Sequence, residues 1–123
     1  MSWKSFEELK SWQLSRQFTT KLYMISQNST FEDIDLQRQI RRASVSLTSN
    51  IAEGFERNTD KEFIHFLYIA KGSAGEIRSQ LYLAFDLNYI TELQFTELYS
   101  EIVEISKLLS GLIKYLQQSN TSK

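Results

Sequence analysis

Cysteine and proline are absent from the 123 residues, glycine occurs four times and histidine once. Without thiols there is neither a disulfide framework nor a thiolate metal site. With so few helix breakers, long uninterrupted helices are favoured. No apolar run approaches the roughly 20 residues needed to span a bilayer. The first eight residues hold no hydrophobic signal core and carry acids at once, so a cytoplasmic location is expected. An excess of one charge is missing too. Fourteen Lys and Arg stand against 15 Asp and Glu, a net charge of −1, so any nucleic-acid binding must come from a local patch. No nucleophile elbow, phosphate-binding loop or Ser/His/Asp order is present. Gly72-Ser73-Ala74-Gly75 falls in the middle of a helical period, where backbone N–H groups are already bonded and cannot cradle a phosphate. No enzymatic chemistry, cofactor, metal or small-molecule substrate is expected.

What remains is 41% hydrophobic and 24% charged, the balance of a globular domain large enough to bury a core. Helical spacing of apolar residues predicts four helices, roughly 5–27, 33–57, 60–88 and 92–118, with 119–123 frayed. Ser5 and Glu8 read as a capping box for the first helix, with Leu14, Phe18, Leu22 and Ile25 facing the core and Leu9, Trp12 and Tyr23 on a second side. The second helix begins near Asp33 and stops at Asn58, a residue type that tolerates the left-handed conformation. Thr59/Glu62 and Thr91/Gln94 are capping boxes for the third and fourth helices. The third buries a stripe from Phe63 to Phe85. The fourth buries Leu98, Ile102, Ile105, Leu109, Leu112 and Leu116. Four long helices with short connections predict an all-α, antiparallel up-and-down four-helix bundle in one domain.

The second helix has too many faces for an ordinary surface helix. Leu36, Ile40, Ala43, Ser44, Leu47, Ile51 and Phe55 form one apolar stripe, and Val45, Thr48 and Ala52 a second, small one. Gln39, Arg42, Ser46, Asn50, Glu53 and Arg57 line the polar side. On the third helix Ile64, Tyr68 and Tyr82 lie away from the core stripe, and Ile69, Leu83 and Leu87 lie on the other flank. With Trp12 and Tyr23 this is more apolar surface than a monomer's exterior needs, so Trp12, Tyr23, Ile64, Tyr68 and Tyr82 are expected to contact other copies. The alternative is that they lie flat on the bundle. Gly72 and Gly75 either admit a close backbone or are tolerated defects.

Glu62-x-x-His65 is half of a di-iron carboxylate signature, but a lone histidine cannot supply the second pair. Arg38, Arg41, Arg42 and Arg57 concentrate on the second helix. They either engage nucleic-acid phosphates or pair with Glu53, Glu56 and Glu76. Arg38, Arg41 and Arg57 are the candidate nucleic-acid contacts. Gln39, Arg42, Asn50, Glu53 and Glu76 are expected to form a structural or interfacial polar network, since unpaired burial of such groups costs several kcal/mol.

Gln39-Ile40-Arg41-Arg42-Ala43, Ser49-Asn50-Ile51-Ala52-Glu53-Gly54-Phe55-Glu56-Arg57, Lys61-Glu62-Phe63 and Phe66-Leu67-Tyr68-Ile69-Ala70-Lys71-Gly72-Ser73, followed by Glu76 and Gln80-Leu81, closely resemble the four-helix-bundle family encoded in intervening sequences of bacterial 23S ribosomal RNA genes. The similarity runs from about Phe6 to Leu116. One departure is Thr48, where many members have proline. The resemblance implies a mirror variant of the bundle, assembly as a ring of five and distant kinship with the accessory protein of diversity-generating retroelements. It implies no catalytic residues. A non-enzymatic oligomeric scaffold that binds RNA, DNA or a ribonucleoprotein is the reading it favours, with a protein-binding adaptor as the alternative.

Overall fold

The structure, a computed structural model, describes residues 3–121, with side chains described up to Ser119. Among these residues every regular element is helical: a 3₁₀ turn at Phe6–Glu8, then α1 (Lys10–Ser26), α2 (Ile34–Phe55), α3 (Asp60–Asp86) and α4 (Glu92–Thr121). Each helix packs on its neighbours in the chain, and α1 closes the ring against α4. Contacts across each pair fall in opposing order, the pattern of antiparallel neighbours. Ser26 meets Arg41 while Thr19 meets Thr48. Ser46 meets Ser73 while Gly54 meets Phe66. Tyr82 meets Phe95 while Tyr68 meets Gln117.

The predicted stripes supply the core. Phe18, Leu22, Ile40, Leu47, Ile51, Leu67, Ile77, Leu81, Leu98, Ile102, Ile105 and Leu109 are its largest fully buried side chains, each stabilising by about 1.5–3 kcal/mol through lost water contact. All six stripe residues of α4 are buried. Leu14, Ile25, Phe55, Phe66 and Phe85 are only partly buried. Two of the three expected caps form, at Thr59 and Thr91, and Asp33, the expected start of the second helix, caps it as well. The Asp33 carboxylate accepts from the Leu36 N–H and the Thr59 hydroxyl from that of Glu62. At α4 both halves of the box close, Gln94 N–H to Thr91 Oγ1 and Thr91 N–H to Gln94 Oε1.

Several expectations are corrected. Ser5 makes no side-chain cap: the Glu8 N–H bonds the Ser5 carbonyl, and the Glu8 carboxylate accepts from the Lys4 N–H. The backbone turns extended at Leu9 and α1 starts at Lys10. That bend drives Leu9 into the core, so burial outweighs continuation of the helix. α2 ends at Phe55, and the left-handed residue is Asn88, with φ 64°, not Asn58. Asn88 closes α3 in a Schellman motif: its N–H reaches the Phe85 carbonyl and the Tyr89 N–H reaches that of Ala84. α4 continues to Thr121, so 119–121 is helical; Ser122 and Lys123 lie outside the described residues.

The glycines also exchange roles. Space around Gly72 and Gly75 is open, so they admit no close backbone within the chain. Gly54 does: a Cβ there would lie 2.7 Å from Phe66 Cβ and 3.3 Å from the Phe63 carbonyl. Thr48 does more than keep α2 regular. Its hydroxyl bonds the Ser44 carbonyl and the Thr19 hydroxyl of α1. No helix among the described residues is long and apolar enough to cross a membrane.

Candidate functional site

Arg38, Arg41 and Arg42 of α2, and Arg57 just beyond its end, have different fates. Arg41 points toward α1. Its Nε donates to Ser26 Oγ at 2.8 Å, its Nη2 to the Tyr23 carbonyl at 3.2 Å, and its guanidinium lies 4.5 Å over the Tyr23 ring. Arg41 therefore adds a cation at the C-terminal end of α1, where it complements the helix dipole, although the Tyr23 carbonyl already accepts from the Gln27 N–H. Arg57, two residues past α2, bonds Glu53 of α2 at 2.8 Å and sits 4.6 Å over the Phe66 ring. Arg38 and Arg42, one turn apart, point outward with Asp35 and Gln39. These four residues and Glu76 of α3 line a cleft of about 300 Å³. Neither Arg38 nor Arg42 has a carboxylate within 4.0 Å among the described residues.

The polar stripe of α2 divides into three. Gln39, Arg42 and Glu76 share the cleft and are exposed. Asn50 is half-buried and donates to the carbonyl and hydroxyl of Ser46, whose hydroxyl in turn meets that of Ser73 on α3 at 3.0 Å. Glu53 is exposed and holds Arg57. Within one chain these residues do not join into one network. The sequence reading missed Ser73 and Gln80, both buried in the α3 stripe. Their signal was a polar residue recurring at core spacing beside Ala70, Ala74, Ile77 and Ala84.

Among the expected contact residues, Trp12 packs edge-on against Phe6, Tyr23 lies beneath Arg41, and Ile64 packs on the core. Tyr68 and Tyr82 are 51% and 49% exposed. Tyr82 is anchored by Phe95 and Tyr99 at 5.1 and 5.3 Å. Its hydroxyl is held above the ordinary tyrosine pKa, first by its hydrogen bond with Tyr99, while that bond and Arg78 lower the Tyr99 value. The most exposed large apolar side chains are others. Leu93 (68%), Met24 (67%), Ile34 (58%) and Leu87 (52%) all lie at the end where the α1–α2 and α3–α4 turns meet. Those turns touch through Phe31 stacked on Tyr89.

Lys21 and Glu62 serve local ends. Lys21 of α1 reaches Glu101 and Glu97 of α4 at 2.7 and 3.1 Å, and the Glu101 bond chiefly raises its pKa. Glu62 accepts from the Thr59 hydroxyl and His65 is exposed, edge-on to Phe66. Among the described residues no three His, Cys, Asp or Glu side chains gather as a metal site.

Fold and surface together define a small helical bundle whose candidate contacts lie in an open polar cleft and in exposed apolar side chains. The model of a family described as 23S rRNA-intervening sequence protein matches residues 7–111, and the chain belongs to that family. A solved structure from Bacteroides thetaiotaomicron, described as a protein with unknown function from the S23 ribosomal protein family, is 30% identical with a TM-score of 0.78. The alignment covers 85% of this chain and 95% of that one. No curated protein matches.

Proposed function

We propose that this protein is a non-catalytic, self-assembling scaffold that binds RNA or a ribonucleoprotein. The observation that carries the reading is the division of the arginines of α2 and the turn after it: Arg41 and Arg57 are engaged inside the chain, while Arg38 and Arg42 stand open together in one cleft. Arginine's planar fork suits phosphate, and a local pair supplies what a net charge of −1 does not. The family's description, a protein of a 23S rRNA intervening sequence, supports RNA as the ligand. Exposed Tyr68, Ile69 and Tyr82 on α3 support self-association, with a ring of five as the expected assembly. Light scattering on the purified protein should return a mass about five times that of the protomer. Retention on immobilised RNA should fall steeply with salt. A monomer mass at micromolar concentration removes the assembly, and no retention at low salt removes the RNA.

A second reading, a protein adaptor without nucleic acid, is favoured by the apolar end of the bundle. Met24, Ile34, Leu87 and Leu93 are exposed there, and Glu32, Asp35, Asp86 and Glu92 lie in or beside the same turns. A pull-down from native cells in which the captured proteins survive nuclease treatment would support this reading over the first.

A further inference from the structure

We propose that the α2–α3 cleft binds a ribose–phosphate unit of RNA and distinguishes RNA from DNA through the 2′-hydroxyl. This rests on the RNA reading above and assigns it a site. Two features of the cleft converge. Arg38 and Arg42 are an i, i+4 pair whose side chains are neighbours on one helix face. With no carboxylate in ion-pair range, their donors are open to a phosphate. Asp35 and Glu76 line the same cleft as acceptors. Two carboxylates beside two phosphate-binding cations would be self-defeating for a ligand that is only an anion. They suit one that carries hydroxyl donors next to its phosphate, and in RNA the 2′-hydroxyl is that donor.

No aromatic ring lines the cleft, so recognition falls on backbone and sugar rather than on stacked bases.

The test is fluorescence anisotropy with a labelled 20-nucleotide single-stranded RNA and the DNA of the same base order, on the full chain. The wild type should bind the RNA about tenfold or more tightly than the DNA, the worth of one hydrogen bond to a charged group. Arg38→Gln/Arg42→Gln should weaken RNA binding about 25-fold at 0.1 M salt and make the log–log salt slope shallower by about 1.4. Glu76→Gln and Asp35→Asn should retain RNA binding and bring RNA and DNA closer together, which reads the site even where the double arginine variant fails to fold. Wild-type binding by the arginine variant, or equal RNA and DNA binding by the wild type, overturns the site and leaves the RNA reading standing. Absence of RNA binding at low salt overturns both. A change in oligomer mass on Arg42→Gln makes the cleft a contact between copies and also overturns the site.

Discussion

Gly54 of α2 lies so close to Phe66 of α3 that a single methyl group would not fit: its carbon would stand 2.7 Å from Phe66 Cβ, with Phe63 Cδ1 at 3.0 Å. The loop from Glu56 to Thr59 is short, which holds the two helices close at this point. Gly54→Ala should therefore destabilise the fold. Overpacking costs about 1–3 kcal/mol and outweighs the roughly 1 kcal/mol that alanine gains in a helix. Gly72→Ala and Gly75→Ala meet no neighbour and should each stabilise by up to about 1 kcal/mol. Urea denaturation of the three variants checks both signs.

Asn88 carries the positive φ that ends α3. A β-branched residue there pays for the left-handed backbone, so Asn88→Val should cost about 1–2 kcal/mol. Asn88→Gly should be neutral or slightly stabilising. A destabilising glycine would mean that the asparagine side chain, rather than its backbone tolerance, matters there.

Arg41 is an internal fastener, whereas Arg38 and Arg42 are open. Removing Arg41 takes away two hydrogen bonds and a ring contact between α1 and α2. Arg41→Ala should cost about 2 kcal/mol of stability while leaving nucleic-acid affinity unchanged per folded molecule. Loss of affinity without loss of stability would return Arg41 to the contact set.

Lys21 ties α1 to α4 through Glu101 and Glu97. Its pKa is raised above 10.5, first by the Glu101 hydrogen bond. A raised folded-state value means its contribution is fully present below the unfolded pKa, about 10.4, and is lost as pH rises through the folded value. All three side chains are more than a third exposed, so solvent screening limits the contribution. Lys21→Met should lower stability by at most about 1 kcal/mol, with the deficit shrinking in high salt and at alkaline pH. Melting curves at pH 7 and pH 11, with and without salt, test it.

Glu53 has an exposed partner four residues on, Arg57, and exposed pairs of that spacing are worth about 0.3–0.5 kcal/mol. Under the proposed self-assembly, Glu53→Ala should weaken the oligomer by more than this pair is worth. An unchanged oligomer mass and melting temperature would confine Glu53 to its pair with Arg57.

Much of the architecture was legible because it rests on local rules. Four apolar periods, the Asp33, Thr59 and Thr91 caps and the α4 stripe depend on residues within a few positions of one another. The first helix was misread at Ser5 because the pull that bends the chain, burial of Leu9, comes from residues far away in sequence. The same holds at the cleft. The sequence could gather Arg38, Arg41, Arg42 and Arg57 on one helix, and its spacing already separated their angles. It could not show that Tyr23 and Ser26 lie waiting for Arg41, or that Glu76 shares a cleft with Arg42 without pairing to it. By itself the sequence determined that the chain is a helical bundle and which family it resembles, since periodicity and local motif carry both. Only the tertiary structure decided which glycine admits a neighbour, which arginines are engaged and which stay open, because those depend on what a second helix places within a few ångströms.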